Sequence, residues 1–159
     1  MITKILGTPQ LEWPWANACD YSQLYQQASE TNRLIAFSIA TPAAFRQGKF
    51  DSVLPTRECV FNSLLSRWNK YSGIEFSPLL LDAVFSSFLN IKTEMLTNYD
   101  SSFVGIVGEV SYRILGDVEP RAIKQINALA YFALYCGLGR KTPMGMGMTR
   151  RIVVNRSLT

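Results

Sequence analysis

Histidine is absent from all 159 residues. That absence removes Ser-His-Asp and Cys-His arrangements, histidine-ligated metals and the commonest general acid or base near neutral pH. Any proton transfer by this chain alone would fall to Tyr, Lys, Arg, Ser or carboxylates. Cysteine is scarce: Cys19, Cys59 and Cys136 are odd in number and form no Cys-x-x-Cys pair, which argues against a disulfide scaffold and against zinc. Cys59 and Cys136 fall on expected helices beside apolar neighbours, where a buried structural thiol is usual. Long apolar runs are also lacking, so no membrane span is expected. Met1-Ile2-Thr3-Lys4-Ile5 has no signal-peptide layout, and a cytoplasmic location is the default expectation. Neither a cofactor nor a metal is implied.

What the chain does contain is ample core material, 48% hydrophobic and 12% aromatic residues, enough for one globular domain. Sixteen basic against twelve acidic residues give a formal charge of +4, a mild bias compatible with nucleic acid. Its distribution says more. Between Arg140 and Thr159 lie Arg140, Lys141, Arg150, Arg151 and Arg156 without one acidic residue.

Residues 1–31 read as a lead-in with Trp13 and Trp15 as packing anchors and a short helix from Tyr21 to Ser29 capped by Asp20; residues 32–159 read as the domain proper. Arg33 to Thr41 reads as a buried strand ended by Pro42, and Gly48, Asp51 and Pro55 as a loop. Thr56 as N-cap and Val60, Phe61, Leu64, Leu65, Trp68 and Tyr71 at helical spacing predict a helix over 57–71, stopped by Gly73. Residues 77–88 suggest a further short helix. Strands follow over 89–99 and 103–115, joined by a turn at Asp100-Ser101-Ser102, with Gly105 and Gly108 at a bulge or close backbone crossing. Pro120 opens a helix over 120–136 striped by Ile123, Ile126, Ala130 and Ala133, and 148–155 close as a strand. The order strand, helix, strand, strand, helix, strand is the α+β, ferredoxin-like βαββαβ pattern, an antiparallel sheet with helices on one face.

Between the last helix and last strand stands the densest glycine segment, 137–147, in which Gly137, Gly139, Gly145 and Gly147 flank Arg140, Lys141 and Thr142. Glycine lets a backbone approach a ligand closely, and the cations suggest an anion. A helix C-cap followed by a surface loop is the plainer reading, opposed by the regular Gly-h-Gly-x5-Gly-h-Gly spacing. Neither a Walker loop nor a dinucleotide fingerprint fits, because the spacing differs and the segment follows a helix. Pro143, Met144 and Met146 are expected to shape the loop and join the core. Tyr112, Tyr131 and Tyr135 could stack on bases but sit where tyrosines are usually core.

This glycine segment, in this position, resembles the signature of the RAMP superfamily of CRISPR-associated RNA-binding proteins. Residues 21–24, 37–48, 54–55 and 60–69, together with 103–108 and Tyr112, resemble landmarks of the C-terminal half of the endoribonucleases that cut CRISPR precursor RNA, so the resemblance spans about residues 20–155. It implies binding of CRISPR repeat RNA and metal-independent cleavage in which a ribose hydroxyl attacks the adjacent phosphate. The family's usual histidine lies in an N-terminal half that this sequence does not match. The expectation is therefore a split, truncated or degenerate half that needs an N-terminal RAMP partner to cut. The RNA-binding residues implied are Gly137, Gly139, Arg140, Lys141, Thr142, Gly145 and Gly147, with Arg46 and Lys49 as a second contact. Arg150 and Arg151 are also candidates, although strand alternation lets at most one of them face the loop's surface. Two alternatives stand beside this: a non-catalytic RAMP subunit that retains processed RNA among CRISPR effector subunits, and an unrelated ferredoxin-like anion-binding module.

Overall fold

The computed structural model describes residues 12–98 and 101–153. Helix α1 spans Tyr21–Gln27, and Asp20 caps it by accepting from the Gln23 amide while Gln23 reaches back to the Asp20 amide. Strand β1 (Leu34–Ala43) follows, then a short hairpin of β2 (Phe45–Gln47) and β3 (Phe50–Ser52). Helix α2 is Arg57–Tyr71, β4 is Val84–Asn98, β5 is Ser101–Ile114, α3 is Pro120–Cys136 and β6 is Thr149–Ile152.

The main sheet runs β4-β5-β1-β6, and each neighbouring pair is antiparallel. That is the ferredoxin-like arrangement. Alternation along the strands turns Ile35, Phe37 and Ile39 of β1 and Val110, Tyr112 and Ile114 of β5 to one face. Against it pack Val60, Phe61, Leu64 and Trp68 of α2 and Ile123, Ile126, Leu129 and Ala133 of α3. Ring contacts tie the layers: Phe61 meets Tyr112 edge-on at 5.1 Å, and Trp68 stacks on Phe76 at 5.0 Å and meets Tyr21 at 5.3 Å. Gly105 and Gly108 lie at close backbone crossings, as expected: a Cβ on them would stand 2.7 Å from the Ala43 nitrogen and 2.3 Å from the Asn90 oxygen.

Several expectations need correction. Pro42 does not end β1. It sits where the β1–β5 register shifts between Ile39 and Ala43, a bulge that needs no ladder donor from it. The loop expected around Gly48 is the β2–β3 hairpin turn, because Arg46 and Asp51 pair across it. Only Pro78–Ala83 of the expected helix over 77–88 is helical, as a 3₁₀ segment, and β4 begins at Val84. Ser101 and Ser102 belong to β5, while Asp100 lies outside the described residues, as do Met1–Ile5 and residues 154–159. Trp13 and Trp15 are at least a third exposed, so they are weaker anchors than expected, and Tyr71, at the end of the α2 stripe, is exposed as well.

Candidate nucleic-acid interface

The interface is built where β1 ends, the β2–β3 hairpin turns back and the glycine segment crosses between α3 and β6. Leu138, between the first two glycines, is fully buried and anchors the segment in the core. Backbone then lies directly on backbone. A Cβ at Gly139 would come within 2.3 Å of the Ala44 oxygen, and one at Gly147 within 1.8 Å of the Leu138 oxygen. The segment is stitched to β1 and the residue after it as well: the Gly147 amide donates to Pro42 (3.0 Å), the Arg140 amide to Ala44 (2.8 Å), and the Thr41 hydroxyl to Gly145 (2.7 Å).

Much of the glycine density is therefore spent on packing. The amides of Gly137, Leu138, Arg140, Met144, Gly145, Met146 and Gly147 all donate within the protein. Those of Gly139, Lys141 and Thr142 are not among these donors, which narrows the expected backbone anion cradle to one stretch. Lys141 stands at its centre with φ 56°, the one non-glycine residue among those described in the left-handed region. Such a conformation costs about 1–2 kcal/mol and tends to persist at functional positions. Thr142 packs its methyl toward Gly137, and Met144 is exposed rather than a core residue.

Side chains supply the positive charge. The Arg140 guanidinium pairs with the Asp51 carboxylate, and Arg46 approaches the other oxygen of the same carboxylate at 3.6 Å. Arg46 also donates to the Lys49 carbonyl at 2.8 Å. The hairpin thus brings Arg46 and Arg140, 94 positions apart in sequence, to one anchor. Together with Gly139, Asn62 and Ser63 they line a cavity of about 430 Å³. Lys141 does not line this cavity; its Nζ stands 5.2 Å from the Phe103 ring centre. Arg150 and Arg151 do not join this cavity. They lie on β6 opposite Ser38 and Phe37, and both line a separate cavity beside α3.

Residues missed by sequence reasoning hold the loop in place. Arg67 of α2 donates to the carbonyls of Cys136 (2.9 Å), Gly137 (3.2 Å) and Gly139 (2.8 Å). A charged residue directly before the buried Trp68 was the available signal. Asp51 and Thr41 carried none.

The titratable groups nearby are not poised as nucleophiles. Burial pushes the Cys136 thiol up to about 11 despite Arg67 beside it. Burial and the Asp20 charge raise Cys19. Tyr112 is held well above its ordinary value by burial and donates to the Pro55 carbonyl at 2.6 Å, so it belongs to the core. Among the described residues, no group of three His, Cys, Asp or Glu is placed to hold a metal, and no helix is long and apolar enough to cross a membrane. Chemically, the arrangement offers a cluster of cations to an anion.

A family model described as the CRISPR-associated endoribonuclease Cas6 matches residues 37–149. Among solved structures, a Cas6 product complex aligns with TM-score 0.83 and 26% identity over 96% of this chain and 63% of that one. A Cas6 substrate mimic complex aligns with TM-score 0.71 and 28% identity over 87% and 60%. Thermus thermophilus Cas6 aligns with TM-score 0.77 and 24% identity over 87% and 60%, a likeness of fold. The chain thus spans about three-fifths of the length of these proteins. No curated protein matches the chain significantly.

Proposed function

Because the chain belongs to the CRISPR-associated endoribonuclease Cas6 family, we propose that it binds CRISPR repeat RNA through the glycine segment and the β2–β3 hairpin. It acts as the C-terminal half of a metal-independent endoribonuclease. The observation that carries this reading is the convergence of Arg46 and Arg140 on Asp51 beside the strained Lys141, which gathers three cations around one loop. Phosphates are the natural target of such a set, because lysine and backbone amides hold anions without reading bases. Asp51 balances both guanidinium charges while the RNA is absent and competes with phosphate for them.

Cutting needs a base, an acid and a cation for the developing charge. This chain supplies cations and carries no histidine. Its partner in cleavage is therefore a histidine-bearing N-terminal RAMP half. The missing histidine equally suits a non-catalytic RAMP subunit that retains processed RNA. Membership of the family removes the alternative of an unrelated anion-binding module.

The test is binding and cleavage of repeat RNA in chelator, with and without a supplied N-terminal half. Binding by the chain alone and cutting only by the pair is the expected result. No binding at low salt overturns the proposal, and cleavage by the chain alone overturns the division of labour.

A further inference from the structure

A second recess lies on the far side of the molecule's β6 edge. It is a cavity of about 540 Å³ between the lead-in, α1, α3 and β6. Alternation puts Arg150 and Arg151 on opposite faces of β6, yet β6 is an edge strand, so both reach the same recess. Arg150 carries its guanidinium to 5.7 Å from the Trp15 ring centre. Arg151 lies 4.5 Å from the Tyr131 ring centre and donates to the Asn127 side chain at 2.6 Å.

Arg151 is short of an anion. Among the described residues it makes no ion pair, and its buried Nη1 has no hydrogen-bond partner. Burial lowers its pKa, the mark of a guanidinium held away from water. A desolvated cation without a counter-charge is costly unless something supplies one. Among the described residues, the lining contains no carboxylate. It contains amides, Asn17 and Gln27, and two tyrosines, Tyr131 and Tyr135, that are 39% and 38% exposed.

The recess also continues. Leu134 and Tyr135 also line a second cavity of about 320 Å³, together with Trp15, Gly137 and Thr142. From Tyr131 to Gly137 the track follows about 9 Å of helix. Cations for phosphates, half-exposed rings for base faces and amides for base edges, brought together in adjoining recesses, are the elements of a single-strand binding groove. A peptide partner of acidic character would use the arginines but leave the exposed rings and the amides without a matching chemistry.

We infer that the groove between α1, α3 and β6 binds an unpaired RNA segment and leads it toward the glycine loop. This rests on the chain's being an RNA binder, and it assigns Arg150, Arg151, Tyr131, Tyr135 and Trp15 to a site distinct from the Arg46–Arg140 cavity.

The probe is a fluorescein-labelled, unstructured eight-nucleotide RNA, followed by anisotropy beside a repeat RNA. Arg150→Ala with Tyr135→Ala, both at partly exposed positions, should weaken octamer binding about tenfold and lower its salt slope by about 0.7, the value of one lost single-strand phosphate contact. An octamer carrying 4-thiouridine should crosslink to peptides containing Tyr131, Tyr135 or Trp15. Unchanged octamer affinity with crosslinks elsewhere overturns the inference while leaving the loop reading intact. If uridine monophosphate competes as well as the octamer, a polynucleotide track is likewise overturned. If the wild-type chain binds neither RNA, the loop reading fails as well.

Discussion

Replacing Arg67 by Met would show how far one side chain holds the glycine segment in place. Its guanidinium donates to three carbonyls, at the end of α3 and inside the loop, over 2.8 to 3.2 Å. Hydrogen bonds from a charged donor contribute about 1.5–3 kcal/mol each. The three share one guanidinium, and the acceptors, being only part-buried, regain some water when it leaves. A cation at a helix C-terminus adds about 0.3–1 kcal/mol. The net loss for Arg67→Met should therefore be about 2–4 kcal/mol. For a chain of this length each kcal/mol moves the midpoint by about 2–4 °C, so Tm should fall by about 5–15 °C. Arg67→Lys, with a single compact ammonium, should recover less than half of that loss. Calorimetry gives Tm, and urea titration should show a lower midpoint at constant slope. Repeat-RNA affinity should fall in Arg67→Met with no change in salt slope, because Arg67 holds the loop rather than a phosphate. A Tm shift under about 2 °C would refute the stability argument, and a salt slope reduced by about one would place Arg67 on the RNA itself.

Further outcomes follow from the same geometry. Gly147→Ala should destabilise by at least about 2 kcal/mol, since it adds a left-handed strain to a Cβ placed 1.8 Å from the Leu138 oxygen; a melting curve within 1 °C of wild type would contradict the packing described. Arg140→Ala with Lys141→Ala should weaken repeat-RNA binding and flatten its salt dependence by about one to two in slope, and an unchanged slope would mean that the loop does not touch phosphate. Asp51→Asn frees two guanidinium groups from a competing carboxylate, so RNA affinity at low salt should rise; a fall would show that Asp51 matters more as an organiser than as a competitor. For Cys136 the folded pKa, about 11, lies above its ordinary value of 9.0. Its contribution is therefore complete below about pH 9 and lost as pH rises toward 11. Cys136→Ala should show a shallower alkaline loss of Tm across that window, and parallel profiles would refute the assignment.

The fold was legible because its signals were local. Thr56 and Pro120 open α2 and α3 at the positions expected, and the apolar stripes behind them supply the core. The misreadings arose where tertiary pairing overrode a local signal. Pro42 reads as a stop because it lacks a donor, but a bulge opposite Ile106 asks for none. The β2–β3 hairpin is only three residues a side and exists by leaning on α2 and the loop, so no periodicity announces it. In the site, Arg46 and Arg140 were visible as cations, whereas their meeting at Asp51 depends on that hairpin. Arg67 was hidden for a related reason: its partners are carbonyl groups, which every residue possesses and no sequence marks.

The glycine spacing itself acquires a different cause from the one first suggested. Gly139 is required by the Ala44 carbonyl, and Gly147 by the Leu138 carbonyl, so the second glycine of each Gly-h-Gly repeat answers to backbone packing within this chain. Leu138, the apolar residue of the first repeat, is the core anchor. Such a loop would keep its glycines whether or not anything bound to it. The residues that discriminate a ligand must then be those that the packing does not require: Lys141, held at φ 56° where a glycine would sit without strain, and Arg140, whose charge is balanced by an aspartate from another element. Substituting Lys141 by Gly tests the division directly. It should stabilise the fold by about 1 kcal/mol by relieving the left-handed strain while lowering RNA affinity. Loss of both stability and affinity would mean that Lys141 is part of the scaffold after all.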